Sequence, residues 1–462
     1  MRTVRGIFAG WDRAFYKQIF TIAVPIMLQQ LINTALYLID SVMVGGLGEV
    51  ALAALGAANQ TAVMLDTVIF GITAGAAVFV SQYWGKRDRD GISSMLGLSL
   101  TLCMAASVLF LVVSRFYAPV LVGIFAHGQD VIEEGTRFLS VAAYGFPFKA
   151  VIMVYSMVNR CTGKAVMPML SGLGGLLVTG VLNYGLIYGN LGLPALGVKG
   201  AAIATIVGSA VNTVALLAFS SAKGNAARGG FRRLFHGCFK NFLYRMSIIG
   251  PVLLNDVIWG IGAVLLSVIY GMMGTQTLAA LTIFGTMDKF TFVVLISLGH
   301  ACSVTLGNHI GAGEIERAKA DSKRYRELTV LLGFILGALI IGIGLFLPDL
   351  YNVTDEVRRL ATGTIIAMGA AIWLIGMNFT VVIGTLRGGG DTLAAAVIDL
   401  VPVFFIQIPL LALLGLHFKL PLYLAYLAIV PAEAARLFAA MLRMKKGKWL
   451  RNVTTVGDTA RL

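Results

Sequence analysis

The chain has 462 residues, of which 58% are hydrophobic and only 13% charged. Soluble domains carry about a quarter charged residues, so this balance excludes an ordinary soluble protein and fits a chain whose solvent is lipid. The net charge of +14 follows the loops between apolar stretches rather than a groove or patch, so no nucleic-acid partner is expected.

Apolar stretches of membrane-spanning length recur along the whole chain. Twelve spans are predicted, near 18–44, 51–83, 92–114, 138–159, 166–188, 196–220, 246–272, 278–306, 328–348, 360–386, 393–416 and 421–442. The fold class is therefore an all-α polytopic membrane protein. Residues 1–17 are basic but lead into a full-length span without a small-residue cleavage site, so no signal peptide is read there. With both termini on one side, that side takes Arg2, Arg5, Arg13, Lys17, Lys86, Arg87, Arg89, Arg160, Lys164, all six bases of 223–245, all five of 317–326, Arg387 and the six from Arg443 to Arg461. The other side takes only Arg115, Arg137, Lys199, Arg358, Arg359 and Lys419. This asymmetry places both termini in the cytoplasm of a multi-pass plasma-membrane protein.

The chain also repeats itself. Residues 25–85 shifted by 226 positions fall on 251–311 without a gap: Pro25 on Pro251, Ser41-Val42 on Ser267-Val268, Gly48 on Gly274, Leu52-Ala53-Ala54-Leu55 on Leu278-Ala279-Ala280-Leu281 and Gly85 on Gly311. After spans four and ten, Arg160 meets Arg387 at a shift of 227. Six spans per repeat give both halves the same orientation, with a cavity expected between them. The expected domains are an N-terminal six-helix bundle at 1–222, a cytoplasmic linker at 223–245, a C-terminal six-helix bundle at 246–445 and a cytoplasmic tail at 446–462. Pro25 and Pro251 each remove one helical hydrogen bond at matching positions, and Pro25 is the candidate hinge.

Ionisable residues inside spans are costly, so each is a candidate for function. They are Asp40, Asp66, Asp256, Asp288, Asp399, Glu433, Lys149, Lys289 and Arg436. Asp40 leads, because the repeat matches it to Leu266 and only the first half carries the acid. Tyr37 and Asn33 lie one and two turns back on roughly its face. Thr179 and Asn183 share a face of span five, and Thr205 and Asn212 add oxygens from span six. With Asp40 these residues make a candidate ion-coupling pocket, in which the carboxylate is either protonated or ionised beside a cation. Asn255, Asp256, Asp288 and Lys289 form a candidate substrate or second ion site, with Asp288 and Lys289 expected to reach Asp256, Asp66 or Asp399. Lys149 is a possible counter-ion for a carboxylate in its own right, and Glu433 and Arg436 fit an ordinary i,i+3 pair.

Enzyme motifs are absent. There is no Gly-Lys-Ser/Thr phosphate loop, no HExxH and no nucleophile elbow. Cys103, Cys161, Cys238 and Cys302 follow no disulfide or metal spacing. A non-enzymatic protein without a cofactor is expected, drawing on an ion gradient.

Several segments then carry a family resemblance: Pro25-Ile26-Met27-Leu28-Gln29-Gln30, Asp40-Ser41-Val42-Met43-Val44-Gly45-Gly46-Leu47-Gly48, Ser81-Gln82-Tyr83-Trp84-Gly85, Gly197-Val198-Lys199-Gly200, Gly250-Pro251 with Asn255-Asp256, and Leu386-Arg387-Gly388-Gly389-Gly390-Asp391-Thr392. In order and spacing the chain resembles the multidrug and toxic compound extrusion (MATE) transporters. The resemblance implies two six-helix lobes, drug/cation antiport and Asp40 as the first-lobe coupling carboxylate. It places Asp256 where many members have a Glu. It also implies an Asn and an Asp in span five where this chain has Thr179 and Asn183, which favours H+ over Na+. The function expected is an ion-coupled antiporter exporting organic cations or amphiphilic drugs, monomeric and in contact with membrane lipids. The alternative is a lipid or cell-wall precursor flippase of the same superfamily.

Overall fold

The computed structural model describes residues 13–126, 128–222, 224–228, 234–235 and 237–455. Arg2, Arg5, Lys223, Arg232, Arg233 and Arg461, used above for orientation, lie outside the described residues, as do 456–462 of the tail. All regular structure among the described residues is helical. Twelve helices are long and apolar enough to cross a membrane. They are α1 (Phe15–Gly45), α2 (Glu49–Gly85), α3 (Arg89–Phe116), α4 (Gln129–Cys161), α5 (Val166–Tyr188), α6 (Val198–Ser220), α7 (Phe242–Met272), α8 (Thr275–Gly311), α9 (Ile315–Leu350), α10 (Asp355–Arg387), α11 (Thr392–His417) and α12 (Leu422–Lys445). Helices satisfy every backbone donor and acceptor within one segment, which is the condition for crossing hydrocarbon.

The sequence repeat is a repeat of backbone geometry. Gly48 and Gly274 precede α2 and α8 with φ of 114° and 121°, a region that a side chain would strain. Arg87 and Gly313, also 226 apart, both take positive φ in the turns after those helices. Pro25 and Pro251 lie inside α1 and α7 without ending them. In the second half the helices depart from regular α geometry. Phe379–Arg387 of α10 winds as a π-helix, as do Val403–Gln407 and Leu413–His417 of α11. Pro402 and Pro409 remove two donors from α11, which accounts for its irregular winding.

The chain divides into two compact units, one of residues Phe20–Arg245 and one of Met246 onward together with the start of α1 up to Ile19. In the first unit α5 and α6 pack through small residues. A Cβ on Gly208 would stand 1.9 Å from the Thr179 hydroxyl, and one on Gly175 would stand 2.9 Å from Gly208 O and from Asn212 Cβ. Part of the region read as a free linker belongs to this unit: Asn225, Ala226, Ala227, Leu234, Cys238 and Arg245 are buried. In the second unit Phe284, Leu295, Ile340, Ile365, Met368, Ile372 and Tyr426 form one apolar core cluster. Phe15 at the start of α1 is buried there, edge-on to Tyr325 at 5.3 Å and under Arg324 at 5.6 Å. The described part of the tail folds back on the turn after α10. Trp449 and Val453 are buried, and Arg451 N donates to Gly389 O at 2.9 Å. A Cβ on Gly389 would collide with the Trp449 carbonyl at 2.2 Å, so the glycine run accommodates the tail.

The α5–α6 contact gives a signed stability test. Gly208→Ala drives a methyl group into Thr179 and should destabilise by about 1–3 kcal/mol. Gly180→Ala, on a part of α5 with open space around it, should be neutral or stabilise by up to about 1 kcal/mol. Thermal unfolding of the purified variants reads both signs, and equal melting temperatures would refute the packing argument.

Candidate functional site

Asp40 sits in the last third of α1, where the chain approaches α5 and α6. Its Oδ1 accepts a hydrogen bond from Asn183 Nδ2 at 2.6 Å, and its Oδ2 lies 3.4 Å from Thr205 Oγ1. Thr205 also lies 3.0 Å from Ala201 O one turn back on its own helix. The Thr205 hydroxyl proton is thus shared between the carboxylate and that backbone carbonyl. Asp40 has no ion pair among the described residues, and Asn183 Oδ1 is buried without a partner. The pocket is a carboxylate held by two neutral polar side chains, each from a different helix.

The remaining first-half candidates lie around this centre unequally. Thr179 is buried and donates to Gly175 O at 2.9 Å, one turn from Asn183. Asn33 is exposed and donates to Gln30 Oε1 at 3.3 Å, so it does not reach Asp40. Tyr37 is also exposed, at 46%, and neither side chain hydrogen-bonds Asp40. Asn212 packs against Gly175. The middle of α1 is tied to α4 by Gln29 Nε2 donating to Ser156 Oγ at 3.4 Å. Lys149 of α4 pairs with Asp66 of α2 at 2.8 Å, with both side chains partly exposed.

In the second unit three acids share two arginines. Arg387 Nη2 lies 3.1 Å from Asp256 Oδ1 and 3.8 Å from Asp399 Oδ2. Arg436 Nε lies 3.3 Å from Asp399 Oδ1, and its Nη1 lies 2.7 Å from Glu433 Oε1. Asn255 donates to Asp399 Oδ2 at 2.9 Å and to Asp256 Oδ1 at 3.4 Å, and Asn378 donates to Glu433 Oε2 at 2.7 Å. Helices α7, α10, α11 and α12 thus meet in one buried network of three carboxylates and two guanidiniums. Asp256 Oδ2, Asn255 Oδ1 and Asn378 Oδ1 remain buried without partners.

Sequence reasoning found Asp256, Asn255 and the Glu433–Arg436 pair but not the network. The sequence shows Arg387 only as the repeat partner of Arg160 and a cytoplasmic-side base, and its contact with Asp256 shows once the π-helical end of α10 carries it there. The expected link from Asp288 and Lys289 to Asp256, Asp66 or Asp399 is not made. Both side chains are exposed on α8 and form no ion pair among the described residues, since arginines and Lys149 already occupy those acids. His309 was also missed. It bridges Glu314 at 2.9 Å and Asp321 at 3.1 Å, and its spacing of five from Glu314 is the only signal in the sequence.

The MatE family model matches residues 25–185 and 251–413, one match in each half. The chain belongs to the MatE family of membrane transporters. Its MatE relatives include a protein named probable multidrug resistance protein NorM from Thermotoga maritima, 22% identical over 94% of this chain and 93% of that one. Multidrug resistance protein PmpM from Pseudomonas aeruginosa is 25% identical over 87% of this chain and 85% of its own length. The MATE transporter VcmN of Vibrio cholerae in its bent form superposes with a TM-score of 0.84 at 18% identity, covering 95% of this chain and 99% of that one. The eukaryotic MATE transporter AtDTX14 gives 0.79 at 17% identity, with 96% and 98% covered. These neighbours establish the MatE fold of twelve membrane helices.

A buried ion pair that loses one partner leaves an uncompensated charge. Arg387→Ala should therefore destabilise by on the order of 3–5 kcal/mol, whereas Asp40→Asn should leave the melting temperature close to that of the parent. Thermal melts of the two variants side by side check this. An Arg387→Ala protein as stable as Asp40→Asn would deny the network its structural role.

Proposed function

We propose that this MatE protein exports organic cations or amphiphilic drugs by ion-coupled alternating access, with H+ as the coupling ion. The observation that carries the reading is Asp40, a carboxylate inside a membrane span with two neutral partners and no cation. An ionised group there is costly, so binding a proton or a metal cation from the gradient is strongly favoured. The hydrogen-bond pattern supports the proton. Asp40 is the one carboxylate here, since Asn183 and Thr205 are neutral donors to it, and a single carboxylate suffices for a proton whereas a metal cation wants several oxygen ligands. Loading and unloading changes the strength of the Asn183–Asp40 bond, which is charge-assisted only when Asp40 is ionised. That difference biases how α1 packs on α5 and α6, with Pro25 providing the weak point for a bend. A ligand shifts a conformational equilibrium only through such a difference between states.

The curated relatives are named multidrug resistance proteins, which supports a drug-like substrate. The second-half network has three acids for two bases, and a second coupling ion or a cationic substrate group would balance it. The distribution of bases supports a plasma-membrane protein with both termini in the cytoplasm. The chain acts as a monomer in contact with bilayer lipids, without enzymatic chemistry or a cofactor.

Reconstituted protein loaded with a fluorescent cationic dye tests the reading, with H+ and Na+ gradients imposed separately. The parent should respond to the H+ gradient, and Asp40→Asn should fall to the level of empty vesicles while inserting normally. Wild-type efflux by Asp40→Asn would sink the assignment. Asn183→Asp adds the second carboxylate that Na+ coordination lacks, and should give efflux a Na+ response absent from the parent. No Na+ response in that variant would count against the donor-set argument.

A further inference from the structure

We propose that the described connector residues 234–235 and 237–241, with the first turn of α7, form an interfacial anchor that lays apolar and basic side chains on anionic phospholipid headgroups. The segment is pinned to the first bundle from its inner side. Leu234, Cys238 and Arg245 are buried. The Leu234 carbonyl comes so close to α3 that a Cβ on Gly97 would lie 1.9 Å from it. Ser94 Oγ donates to Gly237 O at 3.3 Å, and Arg245 Nη1 donates to Ser94 Oγ at 2.9 Å and to Cys238 O at 2.8 Å. A connector held this firmly presents a defined outer side. Away from these buried contacts Phe235, Phe239 and Leu243 are exposed at 36%, 55% and 83%. The ring of Phe239 lies 6.0 Å from that of Phe242, the first residue of α7.

This face continues into a membrane span, so its apolar side chains stand at the level where the bilayer begins. The charge around it selects the occupant. Residues 223–245 contain six Lys and Arg and no Asp or Glu, and Arg228 and Lys240 are exposed among the described ones. Exposed apolar side chains with the exposed bases Arg228 and Lys240 in the same connector complement a layer of lipid phosphates over acyl chains. The choice of leaflet rests on the cytoplasmic orientation proposed above; contact with the bilayer surface does not.

All four native cysteines are buried, so an added one can be labelled selectively. Phe239→Cys and Leu243→Cys, spin-labelled in the full chain, are reconstituted in vesicles of phosphatidylcholine with and without phosphatidylglycerol. Collision with oxygen against a water-soluble nickel chelate reads depth. Both labels should be oxygen-accessible and shielded from the chelate, unlike a label on exposed Glu316. A label at 239 as open to the chelate as at 316 would overturn the anchor. Dipolar coupling between labels on two chains would overturn it in favour of a second copy covering the face.

Native mass spectrometry tests the charge. The double substitution Arg228→Gln, Lys240→Gln should lower the retention of phosphatidylglycerol relative to phosphatidylcholine by roughly tenfold or more, at about a kcal/mol per base near an anionic surface. Unchanged lipid preference would overturn the headgroup assignment. Neither readout uses transport, so the anchor stands or falls separately from the ion-coupling reading.

Discussion

An ionised side chain among membrane helices must be neutralised where it stands, because no water is available to do it. That constraint organises both halves of this protein, and they meet it differently. The second half uses its own arginines. Arg387 and Arg436 draw Asp256, Asp399 and Glu433 into a network that ties four helices together. The first half gives Asp40 only an amide and a hydroxyl. A network of fixed charges holds one arrangement firmly. A lone carboxylate with neutral partners would change its local charge on binding a proton or cation, which suits it to having two.

The internal repeat shows how the difference is encoded. Arg160 and Arg387 occupy matching positions, and so do Gln30 and Asp256. The arginine is kept in both halves, while the acid that neutralises it is present only in the second. Conversely Asp40 is matched by Leu266. Each half carries an acid that the other lacks at the matching position, on one backbone plan whose turns match at Gly48 and Gly274 and at Arg87 and Gly313.

The twelve spans and the repeat were legible in the sequence because both rest on local patterns: apolar length, punctuating glycine and a fixed offset. The gathering of Asp40, Asn183 and Thr205 was legible too, since each lay at a helical spacing from other polar residues in a span. Asn33 and Tyr37 show the limit of that reasoning. Sharing roughly a face with Asp40 does not give them a hydrogen bond to it, because Asn33 turns to Gln30 and the Tyr37 hydroxyl to Asn59 of α2. The second-half network was not legible, since it depends on α10 and α11 leaving regular α geometry. In the π-helical stretch Phe379–Arg387 the angular position of each residue shifts from its α-helical place. Spacing rules built on 3.6 residues per turn therefore cannot place Arg387. The expectation for Asp288 and Lys289 failed for a related reason, since proximity in sequence and charge said nothing about which acids were already paired.

The docked connections carry the same argument beyond the site. The sequence reads 223–245 and the tail only as a basic cytoplasmic linker and tail, and in the described part of each close contacts hold the chain down. Leu234 presses on Gly97, and Trp449 presses on Gly389. Arg443 and Arg451 both reach Asp391, the residue after the glycine run, at 2.6 Å and 3.3 Å. A basic residue near a membrane surface thus has two uses, and burial tells them apart. Arg245 is turned inward and spends its donors on Ser94 and Cys238, so its charge fastens the connector to the bundle. Arg228 and Lys240 are turned outward, so theirs remains available to whatever covers the face. The composition that sets orientation across the membrane is the same for both; only the fold decides which base becomes structure and which remains surface.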